Sequence, residues 1–185
     1  MVIALALLAF TPLRRWMEAS MSLHMLVQFP LVVLGGYLLA GELGPRATAR
    51  LQRWNAHGLT GLLAVALLLA LLMIPRWLDL AWVDLRFEIA KWLALLATGG
   101  ALRLSWSRAG LLGQVFFLGN TLPMTVMAGY LFIESPLRLC NAYLLDDQVT
   151  VGKGLIVACA LTAITWLIQA GRLLSRQAAP KRQLQ

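Results

Sequence analysis

Long uncharged apolar segments alternate with short polar connections along the chain. A helix rises about 1.5 Å per residue, so about 20 apolar residues cross the roughly 30 Å hydrocarbon core of a bilayer. Segments near that length predict five membrane-spanning helices, at about 20–40, 56–74, 87–104, 110–133 and 150–171. The opening residues, about 1–12, are apolar but too few for a full crossing, and they predict a short sixth helix.

The composition agrees with this pattern. The 185 residues are 60% hydrophobic and 13% charged, with a mean hydropathy of +0.75, whereas soluble domains carry about 25% charged residues. We therefore expect an all-α, polytopic helical membrane bundle. Because the connections are short and no repeat is visible, residues 1–185 form a single predicted domain. Small residues in "LGGY", "TGG" and "HGLTGLLA" predict close packing between helices.

Charge is sorted between the two sides of the predicted bundle. One side has nine of the sixteen basic residues and a single acid, Glu42, for a net charge of +8. The other side has seven bases and seven acids. The positive-inside rule places the first side in the cytoplasm, which predicts a multi-pass protein of a prokaryotic inner (plasma) membrane with a cytoplasmic C-terminus. The basic tail, 172–185, is explained by anionic lipid headgroups, so membrane lipids and no nucleic acid are the expected partners.

One face of the first full span carries soft metal donors. In "MEASMSLHMLVQFP", the side chains of Met17, Met21, His24 and Gln28 fall within about 60° on a helix, and Met25 lies at the edge of this face. Thioether sulfur and neutral imidazole suit Cu(I). The sequence therefore predicts Cu(I) donors at the outer end of this helix, chiefly Met21, His24 and Met25, with Met17 as an additional one.

The span at 110–133 offers a second set of candidates. Met124 and Met127 share a face of about 80° with Asn120 and the trailing Glu134, so both methionines are further candidate donors. The alternative interpretation is that the methionines fill irregular gaps in the bundle and that His24 makes one interhelical hydrogen bond.

Polar residues of the outer loops supply candidate supporting groups. Asp146, Asp147 and Gln148 stand just before the last span, where acids can cap the free amides of their own helix. Alternatively, Asp147 and Gln148, together with Gln28 and Glu134, surround the metal donors and hold His24 in one tautomer. In the span at about 87–104, Glu88 and Lys91 stand three residues apart and are expected to pair with each other.

Catalytic signatures are absent from the sequence. It contains no HExxH, GxSxG, GxGxxG or Walker motif, and we predict that the protein is not an enzyme. A haem held by two axial histidines is also disfavoured, because His24 and His57 fall at opposite faces of the membrane.

Two segments carry a resemblance to a known family. In the first segment, "RRWMEASMSLHMLVQFPLVVLGG", a His-Met pair opens a span. In the second, "LFIESPLRLCNAYLLDDQVTVGKGLIV", an Asp-Gln pair follows a tyrosine-containing loop. Both segments resemble the CtaG family of cytochrome c oxidase assembly proteins. The resemblance implies a helical membrane protein linked to copper delivery, with His24, Met25, Asp147 and Gln148 at the matching positions. This chain is short for the family, and it has glutamine at position 28, where the family tends to have a second histidine.

Three functional hypotheses follow. The first is a non-enzymatic accessory protein that binds Cu(I) transiently at the extracytoplasmic side and contacts respiratory oxidase subunits. The second is a metal-free scaffold that binds another membrane protein. The third is a small cation or proton transporter whose polar outer cavity includes Glu88, Glu134 and Asp147.

Overall fold

The computed structural model describes residues 11–74, 80, 83–139 and 143–178. The regular secondary structure in these segments is entirely helical, which confirms the all-α prediction. The helices are α1 (Thr11–Glu18), α2 (Met21–Gly41), α3 (Pro45–Trp54), α4 (Leu59–Leu72), α5 (Leu85–Ser105), α6 (Gly110–Glu134) and α7 (Leu145–Ala178). Of the helix predicted at about 1–12, residues 1–10 lie outside the described residues.

Three of these helices, α2, α6 and α7, are long and apolar enough to cross a membrane, which is consistent with a membrane protein. Among the described residues, α3 and α4, which meet at 83°, would add a fourth crossing if together they formed one broken span. The prediction of five spans is therefore not supported. α4 has 14 residues and is about 21 Å long, shorter than the bilayer core. α5 has 21 residues but carries four charged side chains, those of Arg86, Glu88, Lys91 and Arg103.

Two helix boundaries differ from the sequence-based ones. α7 begins at Leu145 rather than at about 150, and it continues to Ala178 rather than ending near 171. Acidic side chains are favourable in the first turn of a helix, so Asp146 and Asp147 belong to α7 and not to the preceding loop. The connection after α2 contains a further helix, α3, which apolar composition alone did not predict.

The helices pack in the order α4, α5, α2, α7 and α6, and α6 also contacts α4. α2 and α5 approach each other closely, since a Cβ atom at Gly36 would meet the backbone of Leu96 and one at Gly99 would meet that of Val33. The small residues of "LGGY" and "TGG" thus form a helix contact, as predicted.

Two apolar cores hold the bundle together. The first lies between α2, α4 and α5, and the second joins the start of α2 to α6 and α7. Their buried members are Val32, Leu72 and Leu95 in the first core, and Met21, Met25, Phe132, Tyr143 and Val151 in the second. The second core contains two of the predicted metal donors.

Candidate functional site

The first turns of α2 are wound as a π-helix from His24 to Gln28. Pro30 lies two residues further on, and its ring would crowd the carbonyl of Leu26 in a regular α-helix while supplying no N–H. A wider turn at this point relieves that conflict, and such π turns occur frequently at functional sites. Within it, His24 Nδ1 lies 2.6 Å from Gln28 Oε1. A carbonyl oxygen can only accept, so Nδ1 carries the proton and donates it, and the lone pair of the neutral imidazole is on Nε2.

The predicted donors Met17, Met21, His24 and Met25 are all buried, but they do not lie on one continuous helix, because the helix is interrupted at residues 19–20 between α1 and α2. His24 is 2% exposed, Gln28 1% and Met21 0%, and Met17 and Met25 are also buried. The predicted 60° face is therefore turned into the protein rather than toward lipid. These residues place one imidazole and three thioether side chains inside the same end of the bundle.

Aromatic side chains enclose the His24 imidazole. The ring of Phe29 meets it edge-on with centroids 4.9 Å apart, and the ring of Tyr143 stacks on it at 6.4 Å. Tyr143 comes from the connection before α7 and is itself buried. The His24 ring thus packs against two aromatic rings and the carboxamide of Gln28, and the charge of the buried Lys91 also acts on it.

The second set of candidate donors, Met124 and Met127 on α6, does not lie at this site. Met124 is 38% exposed and Met127 is 61% exposed, and Glu134 is exposed as well. Spacing along α6 correctly groups these residues on one face but does not say which way the face points. The rotation of α6 is set by Gly129, where an added Cβ would lie 2.8 Å from the carbonyl oxygen of Gly152 on α7. That close contact turns the methionine face outward.

Asp147 caps the start of α2 rather than the start of its own helix. Its carboxylate accepts hydrogen bonds from the hydroxyls of Ser20, at 3.1 Å, and Ser22, at 2.5 Å. It also accepts from the backbone N–H groups of Met21 and Ser22. The first amides of a helix have no intrahelical partner, and a carboxylate there is doubly favoured by hydrogen bonding and by the helix dipole. Asp147 therefore joins α7 to the turn that leads into His24.

Gln148 organises the loop before α7. Its Nε2 donates to the carbonyls of Phe132, at 3.2 Å, and Leu137, at 3.4 Å, and its Oε1 accepts from the N–H of Leu139 at 2.9 Å. The side chain is 2% exposed. The residue that contacts the imidazole is Gln28, so the predicted orienting role belongs to Gln28 and not to Gln148.

A network of buried ion pairs connects α1 to α5. Lys91 Nζ lies 3.0 Å from Glu18 Oε1, and Arg14 lies 2.5 Å from Glu88 and 3.6 Å from Glu18. Glu18, Glu88 and Lys91 are all buried. The prediction that Glu88 and Lys91 pair with each other is wrong, because each has a closer partner of opposite charge on α1. These pairs hold α1, and with it Met17, against the bundle.

One polar atom at the site lacks a partner. Gln28 Nε2 is buried and forms no hydrogen bond with any described residue. Across the described part of the chain there is no group of three or more His, Cys, Asp and Glu residues that could hold a metal ion. A metal ion at this end of the bundle would therefore depend on His24 and on methionine sulfur.

No family model, no curated protein and no solved structure matches this chain.

Proposed function

We propose that this chain is a non-enzymatic membrane accessory protein that binds Cu(I) transiently through His24, Met21 and Met25, with Met17 beside them. The observation that carries the proposal is the common burial of one imidazole and three thioether side chains at the end of α2. Cu(I) is the ion for which this donor set is suited, and the same set is poor for Mg²⁺ or Ca²⁺. Only a few labile donors are present, which favours release of the ion over permanent retention.

The orientation of the imidazole supports the same proposal. Metal-bound histidines usually donate their other ring N–H to an oxygen acceptor, which fixes the tautomer and makes the ligating nitrogen more basic. Gln28 Oε1 accepts from Nδ1 in this way, so Nε2 is the nitrogen available to an ion. Gln28 acts in this proposal as a group that orients His24 and not as a ligand.

The meeting of the two segments that resemble the CtaG family also supports the proposal. Asp147 and Ser22 are separated by 125 residues in the chain, yet their side chains are 2.5 Å apart. The resemblance suggests a role in the assembly of a respiratory cytochrome oxidase, with oxidase subunits as partners. The charge distribution further suggests an inner-membrane protein with its C-terminus in the cytoplasm and the His24 end outside.

The first prediction concerns Cu(I) affinity. His24→Ala and Met21→Leu are each expected to weaken Cu(I) binding by about tenfold to a hundredfold, because each removes one of few donors. The measurement is a competition titration of the purified full-length protein in detergent with a chromophoric Cu(I) chelator. Met21→Leu nearly conserves side-chain volume, so its effect reports the loss of sulfur rather than of packing.

Matched controls come from the same side-chain types elsewhere in the chain. His57 is exposed, and Met127 is 61% exposed on the outer face of α6. His57→Ala and Met127→Leu should leave the affinity unchanged. Micromolar or weaker binding that neither His24→Ala nor Met21→Leu alters would contradict the proposal.

A metal-free scaffold is the second candidate function. It is favoured by the contacts of the His24 ring with Phe29 and Tyr143, which are those of a packed interior side chain. A scaffold would capture an oxidase subunit or another membrane protein equally well in its wild-type and His24→Ala forms. A copper-handling protein would show capture that depends on Cu(I) loading.

A further inference from the structure

The helix α3 has no buried residues, although it lies between two helices of the bundle. Trp54, at its last position, is 83% exposed, and Leu51 is 47% exposed. An apolar surface of this kind on a short helix needs a partner outside the described part of the chain. The identity of that partner follows from how charge and apolar side chains are arranged around the helix.

The basic and apolar side chains of α3 occupy adjacent sectors. With about 100° per residue, Arg46, Arg50 and Arg53 fall within about 60° of one another. Trp54 and Leu51 follow on one side, within about 60° of each other. A basic stripe beside an apolar strip with an aromatic residue is the pattern of a helix that lies in the membrane interface.

The turn that joins α3 to α4 is fixed by hydrogen bonds. Asn55 Nδ2 donates to Ser105 Oγ at 2.8 Å, and Asn55 Oδ1 accepts from the Gly61 N–H at 3.0 Å. Gly58 adopts a φ of 73° in the turn, a conformation that L side chains rarely adopt. These contacts hold α3 at 83° to α4. A helix that follows the bundle axis is thereby joined to one that runs across its end.

The charges of α3 have no opposite charge paired with them in the described part of the chain. Among the described residues, the three arginines of its stripe form no ion pair, and Glu42 is the one acid on the predicted cytoplasmic side. Three arginines in ten residues are costly inside hydrocarbon, which argues against α3 as half of a broken span. Anionic phospholipid headgroups offer the complementary charge at the depth where a tryptophan is favourable.

We propose that α3 lies in the plane of the membrane and binds anionic phospholipid headgroups through Arg46, Arg50 and Arg53, with Trp54 and Leu51 inserted among the lipids. The surface recognises lipid charge and does not depend on the proposed copper site, which lies at the opposite end of α2. Through α3, the protein associates more strongly with membrane regions rich in anionic lipid.

The test is amide hydrogen exchange of the full-length protein in nanodiscs of phosphatidylcholine alone and in nanodiscs that also contain phosphatidylglycerol. Amides of residues 45–54 are expected to exchange more slowly in the anionic discs, by about fivefold for each arginine that is engaged, because one basic residue near such a surface contributes about 1 kcal/mol. High salt should remove the difference by screening.

The variant R50Q/R53Q should lose most of the lipid-dependent slowing. The matched variant R172Q/R176Q removes the same charge from exposed positions of α7 and should keep it. Equal exchange of the two variants in phosphatidylcholine discs would show that α3 folds equally well in both. Wild-type exchange that is the same in both lipids, or slowing that survives in R50Q/R53Q, would overturn the proposal. If slowing of amide exchange at residues 45–54 instead depended on the number of chains per disc, the surface would bind a second copy of the chain, and the proposal would also be overturned.

Discussion

Replacing Lys91 by methionine is expected to lower the free energy of unfolding by about 4 kcal/mol, because it leaves a buried carboxylate without its nearest cation. Lys91 Nζ is 3.0 Å from Glu18 Oε1, and both residues are buried. Arg14, 3.6 Å from Glu18, is a second cation near this carboxylate, but it also pairs with Glu88. The measurement is equilibrium unfolding of the purified protein in mixed micelles of increasing denaturing-detergent content.

The double variant Glu18→Gln/Lys91→Met separates the lost attraction from the cost of an unpaired charge. With both ionised groups removed, most of the stability should return, since a buried ion pair and an apolar replacement are often close in free energy. Lys153→Met, at an exposed position of α7, is the matched control and should change little. A Lys91→Met variant as stable as Lys153→Met would show that the pair does not hold α1 to α5.

Replacing Asp147 by alanine is expected to cost about 3 kcal/mol, because it removes a helix cap and leaves several donors unsatisfied. Two hydroxyls and two backbone N–H groups around Ser20, Met21 and Ser22 donate to this carboxylate. The loss should appear as a lower free energy of unfolding and as faster amide exchange at residues 20–24.

Asp146 provides the control for this substitution. It precedes Asp147 in the first turn of α7 but is exposed. Asp146→Ala removes an equal charge and should alter neither exchange at residues 20–24 nor stability by more than about 0.5 kcal/mol. If the two alanine variants behave alike, the contact between α7 and the start of α2 does not contribute to stability.

Much of the site could be predicted from local spacing on one helix. Met21, His24 and Gln28 lie on α2 and are buried as their spacing predicts, and Met17 is buried as well, although it lies on α1 beyond a break at residues 19–20. The contact between His24 and Gln28 also lies within one helical turn. The paired glycines indicated the contact between α2 and α5, because only small residues allow such close approach of two backbones.

Contacts between distant segments could not be predicted in this way. Spacing on α6 grouped Met124 with Met127, yet the rotation of α6 depends on a glycine contact with α7. Charge pairing failed for a similar reason. Glu88 and Lys91 are close in sequence, but α1, most of which lies between the helices predicted at about 1–12 and 20–40, brings Glu18 and Arg14 to them.

The prediction of five spans is not supported because it counted apolar length without regard to where helices begin and end. The turn from Asn55 to Gly58 shortens α4 to 14 residues. The charged side chains of α5 are compatible with burial because ion pairs on α1 neutralise two of them. Neither the turn nor the ion pairs can be recognised from hydropathy.

X-ray absorption at the copper edge of the Cu(I)-loaded protein is the measurement that tests the proposed site most directly. We expect sulfur scatterers together with one imidazole nitrogen, and the loss of the imidazole contribution alone in His24→Ala. Met127→Leu should leave the spectrum unchanged. A first shell of oxygen or nitrogen without sulfur, or a spectrum that His24→Ala does not alter, would contradict copper binding by His24 and its neighbouring methionines.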